Sequence, residues 1–227
     1  MVSLFYFFNF RQKTMDSKEI LAGYLLKVQA VQLSPNHPFK WASGILSPIY
    51  TDNRRLLSFP LIRDYITDYF VRVIREKYPH VQYIAGVATS AIAWAGFVAQ
   101  RLDLPLVYVR PKAKDHGLQN KIEGFIPAGS NALVIEDLIS TGGSSLTAVQ
   151  TLRENGINVI GLLAIFSYQL EIAQENILQA NIDLVTLTDY VTLVEKALEM
   201  EYITAEELTI LKKWRKNPQT FYSSSSS

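Results

Sequence analysis

The sequence predicts an α/β fold, a doubly wound and mainly parallel sheet with a small N-terminal hood. Two observations carry the sheet. Five short apolar runs, at 83–87, 106–109, 133–135, 157–165 and 184–187, have the continuous hydrophobicity of strands covered on both faces. Amphipathic helical patterns separate most of them, and strands alternating with helices imply a parallel sheet wrapped on both sides. A third observation gives the hood. The segment 38–52 breaks at Ser43-Gly44 and again at Ser47-Pro48, turns too frequent for a strand of that sheet.

With 227 residues, the chain suits one α/β domain with additions. Hydrophobic residues at 48% and charged residues at 19% are ordinary for a soluble globular protein. A formal net charge of +1 argues against nonspecific nucleic-acid binding or a membrane surface. The absence of cysteine excludes disulfides, thiolate nucleophiles and Cys-based zinc sites, and fits a cytoplasmic protein.

Residues 2–10 are rich in aromatics but too short to span a bilayer, and no basic segment precedes them. Met15 stands directly before Asp16, a good helix cap with Glu19 three residues on. Translation is therefore expected to start at Met15 rather than Met1, leaving 1–14 as a misassigned or disordered extension. The domain is expected over 15–216, with the hood at about 15–58 and the core at about 59–216. Residues 217–227, ending in the low-complexity run Ser223 to Ser227, read as a disordered tail.

In chain order, Ile20, Leu21, Tyr24, Leu25, Val28 and Val31 predict a helix over 17–31. The 38–52 segment reads as two short strands. Ile62 to Ile74 keep helical spacing, and Pro79 closes that helix. The 83–87 strand turns through Ala88-Thr89-Ser90-Ala91 into a helix reaching Leu102. The 106–109 strand runs into a charged loop, 110–123. A short β pair is expected between 122–126 and 131–135. The helix 144–155 stops at Asn155-Gly156. Helices follow at 170–179, 191–200 and 205–214, the last opened by a Thr204/Glu207 capping box.

Three polar turns leave the carboxyl ends of the core strands, where such sheets bind ligands: 88–91, 110–123 and 136–145. In the last, two carboxylates, Glu136 and Asp137, precede Leu138, Ile139 and the run Ser140-Thr141-Gly142-Gly143-Ser144. Backbone N–H groups of such a run, at a helix start, can cradle an anion. No Gly-Lys-Ser/Thr ends it, so it is not a Walker loop. The alternative is an ordinary capped strand-to-helix turn. The 88–91 turn, with Thr89 and Ser90, is either a second oxyanion cradle or simply tight packing. In 110–123, Arg110, Lys112, Lys114 and His116 alternate, which on an extended chain aims them one way. That suits a diphosphate and a flap closing to exclude water; the alternative is a solvated charged loop.

The strand, acid pair and Thr-Gly-Gly order resembles the 5-phosphoribosyl-1-diphosphate (PRPP) signature of type I phosphoribosyltransferases. The chain from about Asp16 to Trp214 resembles, more narrowly, the orotate phosphoribosyltransferase family. Ser43-Gly44 continuing to Ser47-Pro48-Ile49-Tyr50 is similar to its substrate hood, and Arg110 to Gly117 to its catalytic flap. The resemblance implies Mg²⁺-dependent transfer of phosphoribosyl from PRPP to N1 of orotate, giving orotidine 5′-monophosphate and diphosphate in pyrimidine biosynthesis. It implies a homodimer in which each flap closes over the partner's site, and an ion held mainly through PRPP rather than by an all-protein site. It assigns catalysis to Lys114, His116 and Asp137. It assigns PRPP binding to Arg110, Lys112, Lys114, His116 and to Glu136, Asp137, Leu138, Ile139, Ser140, Thr141, Gly142, Gly143 and Ser144. Thr89 and Ser90 would face the diphosphate; Ser140, Ile49 and Tyr50 would face orotate. The chain departs from the family's pattern at Ala42, at Pro111, and at Tyr168, which stands where the family places an orotate-binding Arg.

A purine phosphoribosyltransferase would share the 133–145 logic but should lack the hood and the Lys-Asp-His flap. A non-catalytic PRPP-sensing regulator should carry an N-terminal DNA-binding module, for which the segment before Tyr83 leaves no room.

Overall fold

A computed structural model describes residues 16–41, 44–111 and 121–222. The expectations for residues 1–14, the start at Met15 and the Ser223 to Ser227 run lie outside the described residues. Helix α1 (Ser17–Lys27) is opened by Asp16, whose side chain accepts from the Lys18 N–H at 3.2 Å. It ends short of the expected residue 31. Gln29 adopts a left-handed φ of 54°, and Val31 begins strand β1 (Val31–Leu33).

The hood contains three further strands, not the two expected: β2 (Phe39–Lys40), β3 (Leu46–Ser47) and β4 (Ile49–Thr51). Val31 to Leu33 pair antiparallel with β4, and β2 pairs with β3, so both small sheets stand outside the main one. A 3-10 turn, Asn53–Ser58, leads into α2 (Pro60–Lys77), where Pro60 supplies a ring already set for a first helical turn.

The core then alternates as the pattern predicts. Strand β5 (Tyr83–Val87) is followed by α3 (Ile92–Leu102) and β6 (Leu106–Val109), then by the short β7 (Ile122–Glu123). Strand β8 (Asn131–Ile139) leads to α4 (Gly143–Glu154), β9 (Asn158–Ser167), α5 (Glu171–Gln179) and β10 (Leu184–Asp189). Two helices close the chain, α6 (Tyr190–Glu199) and α7 (Ala205–Lys216), the latter with its capping box formed.

The main sheet has the order β10-β9-β8-β5-β6-β7 and is parallel except for β7. The expected β pair is corrected here. Ile122 and Glu123 pair antiparallel with β6 rather than with β8, because the Arg110 N–H donates to the Lys121 carbonyl at 2.8 Å and holds the returning chain beside β6. Strand β8 also runs four residues beyond the apolar 133–135 run, pairing Glu136 and Leu138 with β9. The two acids therefore lie within a strand, not after its end.

From β5 the chain builds outward through α3 in one direction, and from β8 through α4 in the other. Right-handed crossovers consequently set α3 and α4 on opposite faces and put the switch point between β5 and β8. Gly86 tightens this centre: a Cβ there would stand 2.9 Å from that of Ala95, so only glycine lets α3 approach β5 so closely.

The C-terminal elements clamp the hood. Trp214, fully buried, donates its indole N–H to the Leu46 carbonyl at 3.0 Å, and Trp41 packs edge-on against it at 5.7 Å. Within the stretch expected as a disordered tail, Phe221 and Tyr222 lie against the core, and the Tyr222 hydroxyl donates to the Pro35 carbonyl at 2.7 Å. No helix among the described residues is long and apolar enough to cross a membrane.

Candidate active site

A cleft of about 340 Å³ opens at the switch point, over the carboxyl ends of β5 and β8. Its walls are three turns: 51–54 from the hood, 87–90 after β5, and 136–144 after and within β8. Two of these are the turns singled out in the sequence, and the structure brings them face to face. Thr89 and Ser90 line one side, with a cis peptide between Ala88 and Thr89. Glu136, Asp137, Leu138, Ser140, Thr141, Gly142, Gly143 and Ser144 line the other. Ile139 does not; it is fully buried, and its carbonyl accepts from the Tyr168 N–H at 3.1 Å.

The two carboxylates have different environments. Glu136 is only 4% exposed. One of its oxygens accepts from the Asp137 N–H at 3.0 Å, and the other from the Ser145 hydroxyl at 2.9 Å and the Ser144 hydroxyl at 3.3 Å. Burial, then the adjacent Asp137 charge, pushes its pKa up to about 8. Burial also raises Asp137, while its hydrogen bond with Glu136 and the Arg54 charge pull the other way. Burial thus favours the neutral form at both acids, and at Glu136 the adjacent Asp137 charge adds to it.

The 140–144 turn has the backbone geometry that an anion cradle needs. Gly142 takes φ 83°, a conformation other residues rarely adopt, and it starts α4 without any side-chain cap. The first N–H groups of α4 are thereby left for a ligand, at the positive end of the helix dipole. A Cβ at Gly143 would meet only the Thr141 hydroxyl, at 3.8 Å, so that side of the turn is open for close approach. Asn176 of α5 braces the turn by donating to the Thr141 carbonyl at 3.0 Å.

The hood wall was the part that sequence reasoning missed. Asn53 is 1% exposed and donates its side-chain amide to the Asp137 carbonyl at 2.6 Å. Asp52 accepts from the Arg54 N–H at 3.2 Å and from Arg54 Nε at 2.6 Å. The only sequence signal was the run of polar residues directly after the hood's last strand. Of the hood residues expected to face a ring, Tyr50 is 41% exposed and tilts against Phe39, but Ile49 is fully buried in the core. Its alternation with Tyr50 along β4 turns it inward, so its contact with a ligand is corrected to a packing role. Tyr168 is buried against Trp41, with ring centroids 5.0 Å apart, and burial raises its hydroxyl's pKa well above the ordinary value.

Arg110 lies beside the cleft, in an adjoining hollow of about 140 Å³ that it shares with Ala88, Gly143 and Ser144. Glu123 accepts from its Nη1 at 3.3 Å. Lys112, Lys114 and His116 lie outside the described residues.

A model of the phosphoribosyl transferase domain matches residues 53–177, from the hood wall to α5. The orotate phosphoribosyltransferase of Cytophaga hutchinsonii is 51% identical over 204 residues, covering 90% of this chain and 98% of that one. That of Listeria innocua is 49% identical over 207 residues, covering 91% and 99%. The chain belongs to the orotate phosphoribosyltransferase family. Its members are pentosyltransferases, enzymes of the type I phosphoribosyltransferase fold. The crystal structure of the orotate phosphoribosyltransferase from Aeropyrum pernix has 32% identity and a TM-score of 0.71, covering 81% of this chain and 99% of that one. Within this orotate phosphoribosyltransferase family chain, the departure at Tyr168 has a physical counterpart. A buried phenol packed on Trp41 fills the space and supplies no cation to the cleft.

Proposed function

We propose that the chain transfers the phosphoribosyl group of PRPP to N1 of orotate, with Mg²⁺ as cofactor, in pyrimidine (UMP) biosynthesis. The observation that carries this reading is the acid pair of β8 set between a hooded wall and an anion cradle at one switch point. The backbone N–H groups of 140–144 would hold the 5-phosphate. Asp137 would accept from the ribose hydroxyls and stabilise positive charge on the ring as the C1–O bond to diphosphate breaks. N1 of orotate, having lost its proton, forms the new bond to C1, and diphosphate departs toward the 88–91 turn and Arg110. Lys112, Lys114 and His116 would supply further charge there.

The donor chemistry fits Mg²⁺, which takes oxygen ligands and binds through one or two carboxylates plus substrate phosphates. Asp137 would be the protein carboxylate beside it, with PRPP supplying most ligands. When bound, the ion would neutralise charge on the departing diphosphate. The same reading makes the protein a cytoplasmic homodimer whose 110–123 flap closes over the partner's cleft.

The test is a screen of orotate, hypoxanthine and adenine with PRPP and Mg²⁺, following orotate absorbance. Consumption of orotate alone is expected. Consumption of a purine with orotate untouched would overturn the reading.

A further inference from the structure

We infer that Arg54 is the anchor for the carboxylate of the acceptor, a binding role that completes the hooded end of the cleft. The inference rests on the proposed acceptor being a heterocyclic acid. Such a molecule brings a full negative charge into a site already holding the Asp137 carboxylate and a phosphorylated donor. Like charges brought together without a counter-ion oppose binding, so the acceptor end needs a cation. Tyr168 supplies none. Among the described residues lining the cleft, Arg54 is the one cationic side chain.

Its placement suits the task. Asn53, next to it, ties the turn that carries Arg54 to β8 through the Asp137 carbonyl at 2.6 Å. The Arg54 charge is felt at Asp137, which it helps keep ionised, so the two groups share one field. Asp52 holds the guanidinium by its Nε alone, at 2.6 Å. The two terminal nitrogens have no partner among the described residues, and the side chain is 63% exposed. Those terminal nitrogens form the fork that grips a carboxylate through two parallel hydrogen bonds. Asp52 thus orients the fork without occupying it, and doubles as the cap of the 3-10 turn that carries it.

The experiment compares wild type with Arg54→Gln and Arg54→Lys in steady-state kinetics, with orotate, uracil and PRPP varied in turn. Arg54→Gln should raise KM for orotate roughly 10- to 100-fold, the range for losing hydrogen bonds to a charged group. KM for PRPP should stay unchanged, and the preference for orotate over uracil should collapse. Arg54→Lys, a point charge without the fork, should fall between the two. Asp52→Asn, which keeps the turn's cap but loosens the guanidinium, should raise KM for orotate by a smaller factor. An increase in KM for PRPP with orotate unaffected would place Arg54 at the donor instead and overturn the inference, as would unchanged constants throughout. Wild type failing to consume orotate would sink the proposed function itself, a result seen before any variant is made.

Discussion

Asn53 and Asp137, 84 positions apart, are joined by a 2.6 Å hydrogen bond from the asparagine amide to the aspartate's own carbonyl. It welds the hood to the acid pair. The amide's other end, Oδ1, is buried without a partner among the described residues, so the residue carries one strong contact and one cost. Asn53→Ala removes both and should destabilise by only about 1 kcal/mol, the net worth of one hydrogen bond. Asn53→Asp is closer in shape yet should be worse. It turns a donor into a buried anion facing a carbonyl, next to an acid pair. Urea unfolding of both variants checks the order; a more stable Asp variant would contradict it.

Glu136 should make stability fall with rising pH. Its folded pKa, pushed up to about 8, lies above its value in the unfolded chain, near 4.3. Between those values the native state holds a proton that the unfolded state has released, so raising pH favours unfolding. Glu136→Gln mimics the protonated form and cannot titrate. Wild type should lose stability relative to that variant from about pH 5 to pH 8, at no more than about 1.4 kcal/mol per pH unit. Parallel pH-stability curves would show that Glu136 is ionised in the folded protein.

The acid pair was legible in the sequence because its signal is local. An apolar run, two acids, glycines and a helix start fall within a dozen residues, and the structure keeps that order except that the acids belong to the strand itself. The hood wall was not legible, since nothing near Asn53 in sequence says that its amide meets β8. The pairing of Ile122 with Val109 was missed for a similar reason. Strand partners depend on where a loop returns, which residue periodicity does not encode. Ile49 was misplaced because a match to a hood motif gives positions, whereas strand alternation decides which face each takes.

Sharing of the flap between subunits can be tested without seeing it. Asp137→Asn preserves shape but replaces the carboxylate lining the cleft with an amide, and Lys114→Ala removes a flap cation. Each alone should abolish most turnover while leaving the melting temperature near wild type. If flap and cradle of one site come from different subunits, mixing the two inactive proteins and allowing exchange restores one intact site per mixed dimer. If each subunit uses its own flap, every site in the mixture keeps a defect. Recovery of orotate consumption on mixing separates these cases.

Trp214 should couple the C-terminal helix to the acceptor end of the cleft. Its indole N–H reaches the Leu46 carbonyl, and its ring supports Trp41, which in turn packs on Tyr168. Trp214→Phe keeps most of the apolar bulk and loses the hydrogen bond, a change of about 1–2 kcal/mol. Trp214→Ala also leaves a cavity and should cost about 3–5 kcal/mol. The kinetic consequence is more selective. The 140–144 cradle is braced by Asn176 rather than by the hood, so Trp214→Phe should raise KM for orotate while leaving KM for PRPP nearly unchanged. Equal rises in both constants would mean that loosening the hood disturbs β8 through Asn53, and that the two walls of the cleft move as one body.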